Sequence, residues 1–179
     1  MHPRRLRYHP MAKFLHWTTA VVVLVTIPLG LTMTNIGEGP TQNTLFDLHR
    51  SFGATVLALT AIRLLTRLTT GAPASEATIA PWQRLLSQIV HAMLYALLLL
   101  VPLLGWAGTS AFGAPITVFW LFQLPSILPK NEGFSELLLS LHGYAAYTLT
   151  ALLSLHITAA IYHHFIRGDG VLRRMLPVK

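Results

Sequence analysis

Nine histidines occur in this chain of 179 residues, which contains no cysteine. Five of them lie in or beside long apolar stretches: His16, His49, His91, His142 and His156. Ionisable side chains inside membrane-spanning segments are energetically costly, so each is a candidate functional group. Because thiolates are absent, this chain cannot ligate an iron–sulfur cluster or attach haem covalently, and any redox centre must be held by histidine.

The histidines recur at a fixed interval. His142 and His156 are 14 residues apart, which in a helix leaves them within about 40° on one face and about 21 Å apart along the axis. The same interval joins three further pairs: His16 and Gly30, His49 and Arg63, and His91 and Gly105. One helix can therefore serve two stacked sites, which suits two haems and exceeds the reach of a single metal centre.

With alternating helix directions, these positions fall at two depths. The outer depth is predicted to bring together two histidines and two glycines: His49, His142, Gly30 and Gly105. The histidines then form one ligand pair. The glycines are expected to let a flat macrocycle approach the helix backbone, and Gly53 and Gly143 add room.

Three histidines and one arginine are predicted at the inner depth: His16, His91, His156 and Arg63. Only two histidines can form the ligand pair, so one of the three is not a ligand. The interval to His142 favours His156 as one ligand and leaves His16 and His91 as alternatives for the other. The remaining histidine would carry protons or bind a quinone headgroup, because imidazole titrates near neutrality and both donates and accepts hydrogen bonds. No Asp or Glu accompanies these histidines in the helices, which disfavours zinc or non-haem iron.

The composition predicts a membrane protein. The chain is 53% hydrophobic and 11% charged, with a mean hydropathy of +0.56, far from the roughly 25% charged share of soluble domains. Four apolar stretches predict transmembrane helices over about 14–33, 48–68, 85–107 and 137–166, in one domain covering residues 1–179. The expected fold is an all-α, four-helix, up-down bundle. The net charge of +7 reflects basic residues beside these stretches and does not indicate nucleic-acid binding.

The basic residues also predict the orientation. All but two of the 13 Lys and Arg residues fall on one side of the membrane, the exceptions being Arg50 and Lys130. By the positive-inside rule both termini are predicted to be cytoplasmic. The long connection between the third and fourth helices contains an apolar segment over 116–128, which is expected to lie on the outer membrane interface, with a lid over an outer site as the alternative.

Two arginines and one further histidine complete the candidate binding residues. Arg50 and Arg63 are placed to pair with haem propionates, with a headgroup anchor as the alternative for Arg50 and snorkelling for Arg63. His163 lies past the inner depth at the cytoplasmic edge. It is a candidate for quinone binding together with His91 and Arg63.

Several motifs together resemble the bacterial cytochrome b561 family of four-helix, di-haem b membrane proteins, which includes superoxide oxidase. The resemblance covers nearly the whole chain and is carried by these elements: Arg7-Tyr8, Leu15-His16-Trp17, Leu48-His49-Arg50-Ser51-Phe52-Gly53, Arg63-Leu64, His91-Ala92-Met93-Leu94-Tyr95 with Pro102 and Gly105, Leu141-His142-Gly143 to His156, and His163-His164 to Arg174-Met175-Leu176. Where the family often has lysine after the histidine of the second helix, this chain has Arg50, which preserves the charge.

The resemblance implies that His16 and His156 hold the inner haem b and that His49 and His142 hold the outer one, so that His91 is not a ligand. It also implies a bacterial inner-membrane location and single-electron transfer between the periplasmic face and the ubiquinone pool. Within the family, the superoxide oxidase activity would convert superoxide to dioxygen and ubiquinone to ubiquinol. No catalytic residue is predicted.

Two alternatives to an autonomous superoxide oxidase stay open. The chain could be a cytochrome b membrane subunit that passes electrons between a separate dehydrogenase or hydrogenase and quinone. It could also be a helical membrane protein with structural histidines. The predicted outer face has only two basic residues, Arg50 and Lys130, among several acidic ones. Its electrostatic attraction for the superoxide anion is therefore expected to be weak.

Overall fold

The computed structural model describes residues 7–71, 73–74, 76 and 78–176. Four α-helices dominate it: α1 (Pro10–Met33), α2 (Pro40–Thr70), α3 (Pro81–Phe112) and α4 (Glu132–Phe165). Each is long and apolar enough to cross a membrane. The prediction of an all-α, four-helix membrane protein is therefore confirmed. His2, Arg4, Arg5 and Lys179, which are among the histidines and basic residues counted above, lie outside the described residues.

Each helix begins earlier than its apolar stretch, because polar first turns also adopt helical structure. Proline occupies the first position of three helices, at Pro10, Pro40 and Pro81, where its missing N–H is not needed and its fixed φ suits the helix. α4 instead follows Asn131, whose side chain accepts a hydrogen bond from the backbone N–H of Phe134 at 3.0 Å.

The helices pack as two close pairs, α1 with α2 and α3 with α4, and α2 also contacts α3. One hydrophobic cluster joins all four helices: Val23, Val56, Leu94, Leu98, Val101 and Leu149. We call the end with the α1–α2 turn and the α3–α4 connection the hairpin end. The opposite end, with both chain termini and the α2–α3 loop, is the terminal end. They correspond to the predicted outer and inner sides.

The apolar segment in the α3–α4 connection forms a β-hairpin. Its strands β1 (Ile116–Val118) and β2 (Phe122–Leu124) pair antiparallel, and β1 packs against α2. Ile116 and Val118 are buried, whereas Trp120, Leu121 and Phe122 are exposed. The segment therefore has one face fixed to the bundle and one apolar face directed outward.

The turn of this hairpin has an unusual backbone. Phe119 and Trp120 have φ values of 46° and 58°, in the left-handed region that costs non-glycine residues about 1–2 kcal/mol each. Two contacts with α2 hold the turn. The buried Ser51 hydroxyl accepts a hydrogen bond from the Phe119 N–H at 2.8 Å and donates one to the Asp47 carbonyl at 2.7 Å. The Phe52 ring meets that of Phe119 edge to face, with centroids 5.2 Å apart.

The terminal end is closed by the segment after α4. Trp17 at the start of α1 donates a hydrogen bond to the Met175 carbonyl at 2.9 Å. Arg167 and Arg174 donate to carbonyls of the α2–α3 loop, at Thr78 (3.0 Å) and Ala74 (2.7 Å). The C-terminal segment therefore ties α4 to the first helix and to the loop between the middle helices.

We expect Ser51→Ala to release the hairpin from α2. The partly buried Phe119 N–H would lose its partner, which costs about 1 kcal/mol, and the strained turn would lose one of its two supports. Limited proteolysis in detergent should then cut within 116–124 faster than in the unmodified protein. Ser126→Ala is the matched control, since that exposed hydroxyl bonds only within its own loop, to the Leu128 carbonyl. Equal cleavage rates for both variants would contradict this account.

Candidate functional site

The structure brings the predicted histidines together in two groups. At the hairpin end, the rings of His49 on α2 and His142 on α4 face each other with centroids 6.0 Å apart and planes at 87°. At the terminal end, His16 on α1 and His156 on α4 have centroids 6.3 Å apart and planes at 78°. The third histidine of that group, His91 on α3, lies 5.2 Å from His156.

These separations can be compared with the requirements of a metal held between two imidazoles. Metal–nitrogen bonds of about 2.0–2.1 Å on opposite sides of one ion place the ring centroids roughly 6 Å apart. The His49–His142 and His16–His156 pairs fit this spacing, whereas the His91–His156 separation is shorter. Among the described residues, no group of three or more His, Asp or Glu side chains could hold a metal ion. A site with only two histidines needs a further group to supply the other metal ligands, and the planar ring of haem is such a group.

Hydrogen bonds fix the ring orientation at the hairpin end. His49 Nδ1 lies 3.1 Å from the Thr26 carbonyl oxygen, and His142 Nδ1 lies 2.8 Å from that of Val101. Because a carbonyl oxygen only accepts, each Nδ1 carries the hydrogen and each Nε2 keeps a free lone pair. This arrangement is typical of metal-binding histidines, whose second ring nitrogen donates to a backbone carbonyl or a carboxylate.

The terminal end is arranged differently. Arg63 Nη2 donates to His16 Nδ1 at 2.9 Å, because arginine has no acceptor. In this contact the hydrogen of the neutral His16 ring is on Nε2, so a metal could bind Nε2 only after that hydrogen moved to Nδ1 and the Arg63 contact was broken. His91 Nδ1 instead donates to the Ser87 carbonyl of its own helix, which leaves its Nε2 free.

Hydrogen bonding and ring separation therefore favour different partners for His156. The hydrogen bonds favour His91, and the separation of 6.3 Å against 5.2 Å favours His16. The separation is the stronger constraint. Moving the His16 hydrogen to Nδ1 requires only that the Arg63 side chain turn away, whereas widening the His91–His156 pair by about 1 Å displaces packed helices, which resist such movement.

The predicted arginines have protein partners. Arg50, next to His49, pairs with Asp47 at 3.3 Å and lies over the Phe46 ring. Arg63 lies over the Tyr95 ring at 5.0 Å, in addition to its contact with His16. Both arginines thus lie beside a candidate ligand, where a guanidinium could also meet a propionate.

His163 is part of a compact pair at the terminal end. Its Nδ1 donates to Asp169 at 2.6 Å, and the two side chains are only 14% and 6% exposed. Asp169 was not predicted as a site residue, and Tyr95, although part of a sequence motif, was not predicted to contact Arg63. An aspartate just after Gly168, beyond the helix end, is a recognisable signal for a contact with the last turn, whereas the position of Tyr95 under Arg63 depends on helix packing.

Gly30 and Gly105 lie against the histidine rings in the structure. A Cβ atom on Gly30 would lie 2.8 Å from His49 Cε1, and one on Gly105 would lie 3.0 Å from His142 Nδ1. These glycines therefore leave room for the imidazole rings themselves. A Cβ on Gly53 or Gly143 would meet no atom within 4 Å, which agrees with the room expected there.

Comparison with known proteins identifies the family. The model of the prokaryotic cytochrome b561 family matches residues 7–178. The chain is 31% identical to cytochrome b561 homolog 2 of Escherichia coli (strain K12), covering 95% of this chain and 91% of that protein. It is 30% identical to cytochrome b562 of Cereibacter sphaeroides, covering 90% of each. It is 25% identical to the probable superoxide oxidase CybB of Yersinia pestis, covering 92% and 93%.

The chain therefore belongs to the prokaryotic cytochrome b561 family. The family resemblance inferred from the sequence motifs is confirmed. Membership assigns the chain to multi-pass membrane proteins of the electron-transfer type and implies haem b as its prosthetic group. The paired histidines fit that group, because each pair offers two imidazole donors on opposite sides of a gap of suitable width.

Replacing Asp169 by Asn is expected to destabilise the terminal end near neutral pH but not in acid. Burial alone would raise the pKa of Asp169, but hydrogen bonds from His163 and the Val171 N–H and the nearby Arg167 outweigh it, so the pKa is lowered. The carboxylate therefore contributes stability above the unfolded-state pKa of about 3.9, and that contribution is lost as the pH falls through the lower folded-state value.

Thermal unfolding in detergent measures this effect. At pH 7, Asp169→Asn should lower Tm to the extent of a loss of about 1–2 kcal/mol, and the difference from the unmodified protein should shrink below about pH 4. Glu132→Gln, which alters a carboxylate on an exposed ion pair with Lys130, should leave Tm unchanged. A deficit of constant size down to pH 3 would show that the charge of Asp169 is not responsible.

Proposed function

We propose that this protein is a di-haem b cytochrome that moves electrons across the bacterial inner membrane to the ubiquinone pool, with superoxide as the electron donor. The hairpin end faces the periplasm in this proposal and both termini are cytoplasmic. The observation that carries it is the presence of two histidine ring pairs, 6.0 and 6.3 Å apart, at opposite ends of one membrane bundle.

Four histidines would hold the two haems: His49 with His142 at the hairpin end, and His16 with His156 at the terminal end. Haem held by two histidines would supply one-electron exchange and favour electron transfer over oxygen binding. The 14-residue interval from His142 to His156 corresponds to about 21 Å along α4. The chain's own contribution is to fix the two pairs at that separation across the bilayer.

The quinone is proposed to bind at the terminal end. Reduction of ubiquinone takes two electrons and two protons, so its site needs side chains that carry protons. His91 and His163 can both donate and accept hydrogen bonds, and Arg63 supplies a further donor at the same end of the bundle. Asp169 orients the His163 ring through Nδ1, which leaves Nε2 as the atom that would meet a quinone oxygen or exchange a proton.

The assignment of superoxide as the donor is supported by a relative named as a probable superoxide oxidase. Each superoxide anion would give up one electron at the hairpin end and leave as dioxygen, so two superoxide anions, two protons and one ubiquinone would yield two dioxygen molecules and one ubiquinol. Arg50 lies beside His49 at that end, 22% exposed. Its guanidinium is the group best placed to attract an anion there.

A second candidate function rests on the charges of the same end. Arg50 is paired with Asp47 and Lys130 with Glu132, so both cations of the predicted periplasmic side are already balanced by carboxylates. This favours a neutral or protein donor over a steered anion. The chain would then be the cytochrome b subunit of a separate dehydrogenase or hydrogenase, and the exposed apolar face of the hairpin would be available for contact.

Haem content tests the ligand assignment. We expect two haems b per unmodified chain, measured by the pyridine haemochrome method, and one in His142→Ala or His156→Ala, since each loses one axial ligand. His91→Ala is the matched control, because His91 lies at the same depth in the membrane as His156, and this variant should retain two haems. If His91→Ala loses one haem while His16→Ala retains both, His91 and not His16 is the partner of His156.

Superoxide reduction tests the donor. Superoxide added to oxidised protein with ubiquinone should reduce the haems within the lifetime of superoxide and produce ubiquinol, and superoxide dismutase should abolish both signals. His142→Ala should show neither, because the proposed entry haem is missing. If the unmodified protein binds two haems but superoxide dismutates faster than it reduces them, the electron-transfer subunit becomes the supported function.

A further inference from the structure

One local arrangement occurs twice at the hairpin end. In α1, the Thr26 carbonyl accepts the hydrogen bond of His49, and the residue four positions later is Gly30. In α3, the Val101 carbonyl accepts the hydrogen bond of His142 at 2.8 Å, and the residue four positions later is Gly105. In both cases the histidine comes from the next helix in the chain. We call each carbonyl with its glycine a carbonyl–glycine seat.

Helix geometry explains why a glycine accompanies each carbonyl. In an α-helix the carbonyl of one residue points toward the residue four positions later, and the Cα–Cβ bond of that later residue tilts back toward it. A side chain there therefore covers the carbonyl. When that residue is glycine, a donor from another helix can reach the oxygen while the helical hydrogen bond remains.

The distances show that the space is fully used. A Cβ on Gly30 would lie 2.8 Å from His49 Cε1 and 3.1 Å from its Nδ1, and one on Gly105 would lie 3.0 and 3.1 Å from Nδ1 and Cε1 of His142. Carbon and nitrogen atoms do not approach so closely without displacement. The imidazole rings, held on α2 and α4 by short side chains, would have to turn or withdraw from the carbonyl.

The terminal-end histidines have no such seat among the described residues. His16 Nδ1 meets Arg63, and His91 Nδ1 bonds to the Ser87 carbonyl of its own helix. The seats are thus a feature of the hairpin-end pair, where the Nδ1 atoms of both histidines find their partners on a neighbouring helix.

We propose that Gly30 and Gly105 are positioning residues for the hairpin-end haem, because each exposes a helix carbonyl that fixes the Nδ1–H form of the ligand and directs its Nε2 toward the iron. This inference rests on the proposed ligation by His49 and His142. A carbonyl that accepts the Nδ1 hydrogen also makes Nε2 a stronger electron donor, and the loss of such support lowers metal affinity about 10–100-fold.

The test uses alanine at each glycine in chains that contain only the hairpin-end haem. In the His156→Ala background, Gly30→Ala and Gly105→Ala should each speed the transfer of haem to apomyoglobin by about 10–100-fold and shift the low-spin EPR signal of the bound haem. Gly133→Ala is the matched control, since it also lies in a helix and its Cβ would meet only Asn131 Oδ1, at an ordinary 3.9 Å.

The same glycine variants in the unmodified background serve as a folding control. There the terminal-end haem should remain at full stoichiometry with an unchanged EPR signal. Loss of both haems from Gly30→Ala and Gly105→Ala would overturn the proposal, since it would indicate a general role in helix packing. Transfer rates equal to those of Gly133→Ala would overturn it as well. If the unmodified chain binds no haem, or if His49→Ala and His142→Ala retain both, the failure lies in the proposed ligation.

Discussion

The facing of two imidazole rings from different helices, about 6 Å apart, is the constraint on which the rest of this structure depends. His49 and His142 come from α2 and α4, and His16 and His156 from α1 and α4. Each pair requires that two helices keep their rotation and their height relative to each other. α4 contributes to both pairs, so its 14-residue interval determines the depth at which its partners on α1 and α2 must stand.

Inside a membrane, the ring nitrogen of a histidine that does not face the partner ring also needs a hydrogen-bond partner. In lipid a buried polar atom without a partner is costly, and the two ends of the bundle meet this requirement in different ways. The hairpin end uses helix carbonyls exposed by Gly30 and Gly105. The terminal end uses the guanidinium of Arg63. The electrostatic environments of the two pairs therefore differ, one being supplied by carbonyl dipoles and the other by a full positive charge.

The two ends are also closed by different means. The hairpin rests on α2 through Ser51, two residues from His49, and maintains a strained turn there. The C-terminal segment closes the other end through arginine contacts to the α2–α3 loop, and Asp169 holds His163 within it. The hairpin and the C-terminal segment therefore both lie beside histidines that the proposed function uses. A substitution in either segment is one or two contacts away from a histidine ring pair or from the proposed quinone site.

The sequence by itself determined the four membrane helices, the absence of thiolate chemistry and the two depths at which the histidines lie. Hydropathy and helical periodicity are local properties, and they are sufficient for these conclusions. The pairing of His49 with His142 also followed from the sequence interval. Only the tertiary structure decided how far His16 and His91 lie from His156. The separations of His16 and His91 from His156 depend on helix rotation, and the partners of His49 and His142 are backbone carbonyls, which every residue possesses and no residue type marks. For the same reason the sequence interval marked Gly30 and Gly105 but assigned them to a macrocycle, whereas the packed helices place imidazole rings against them.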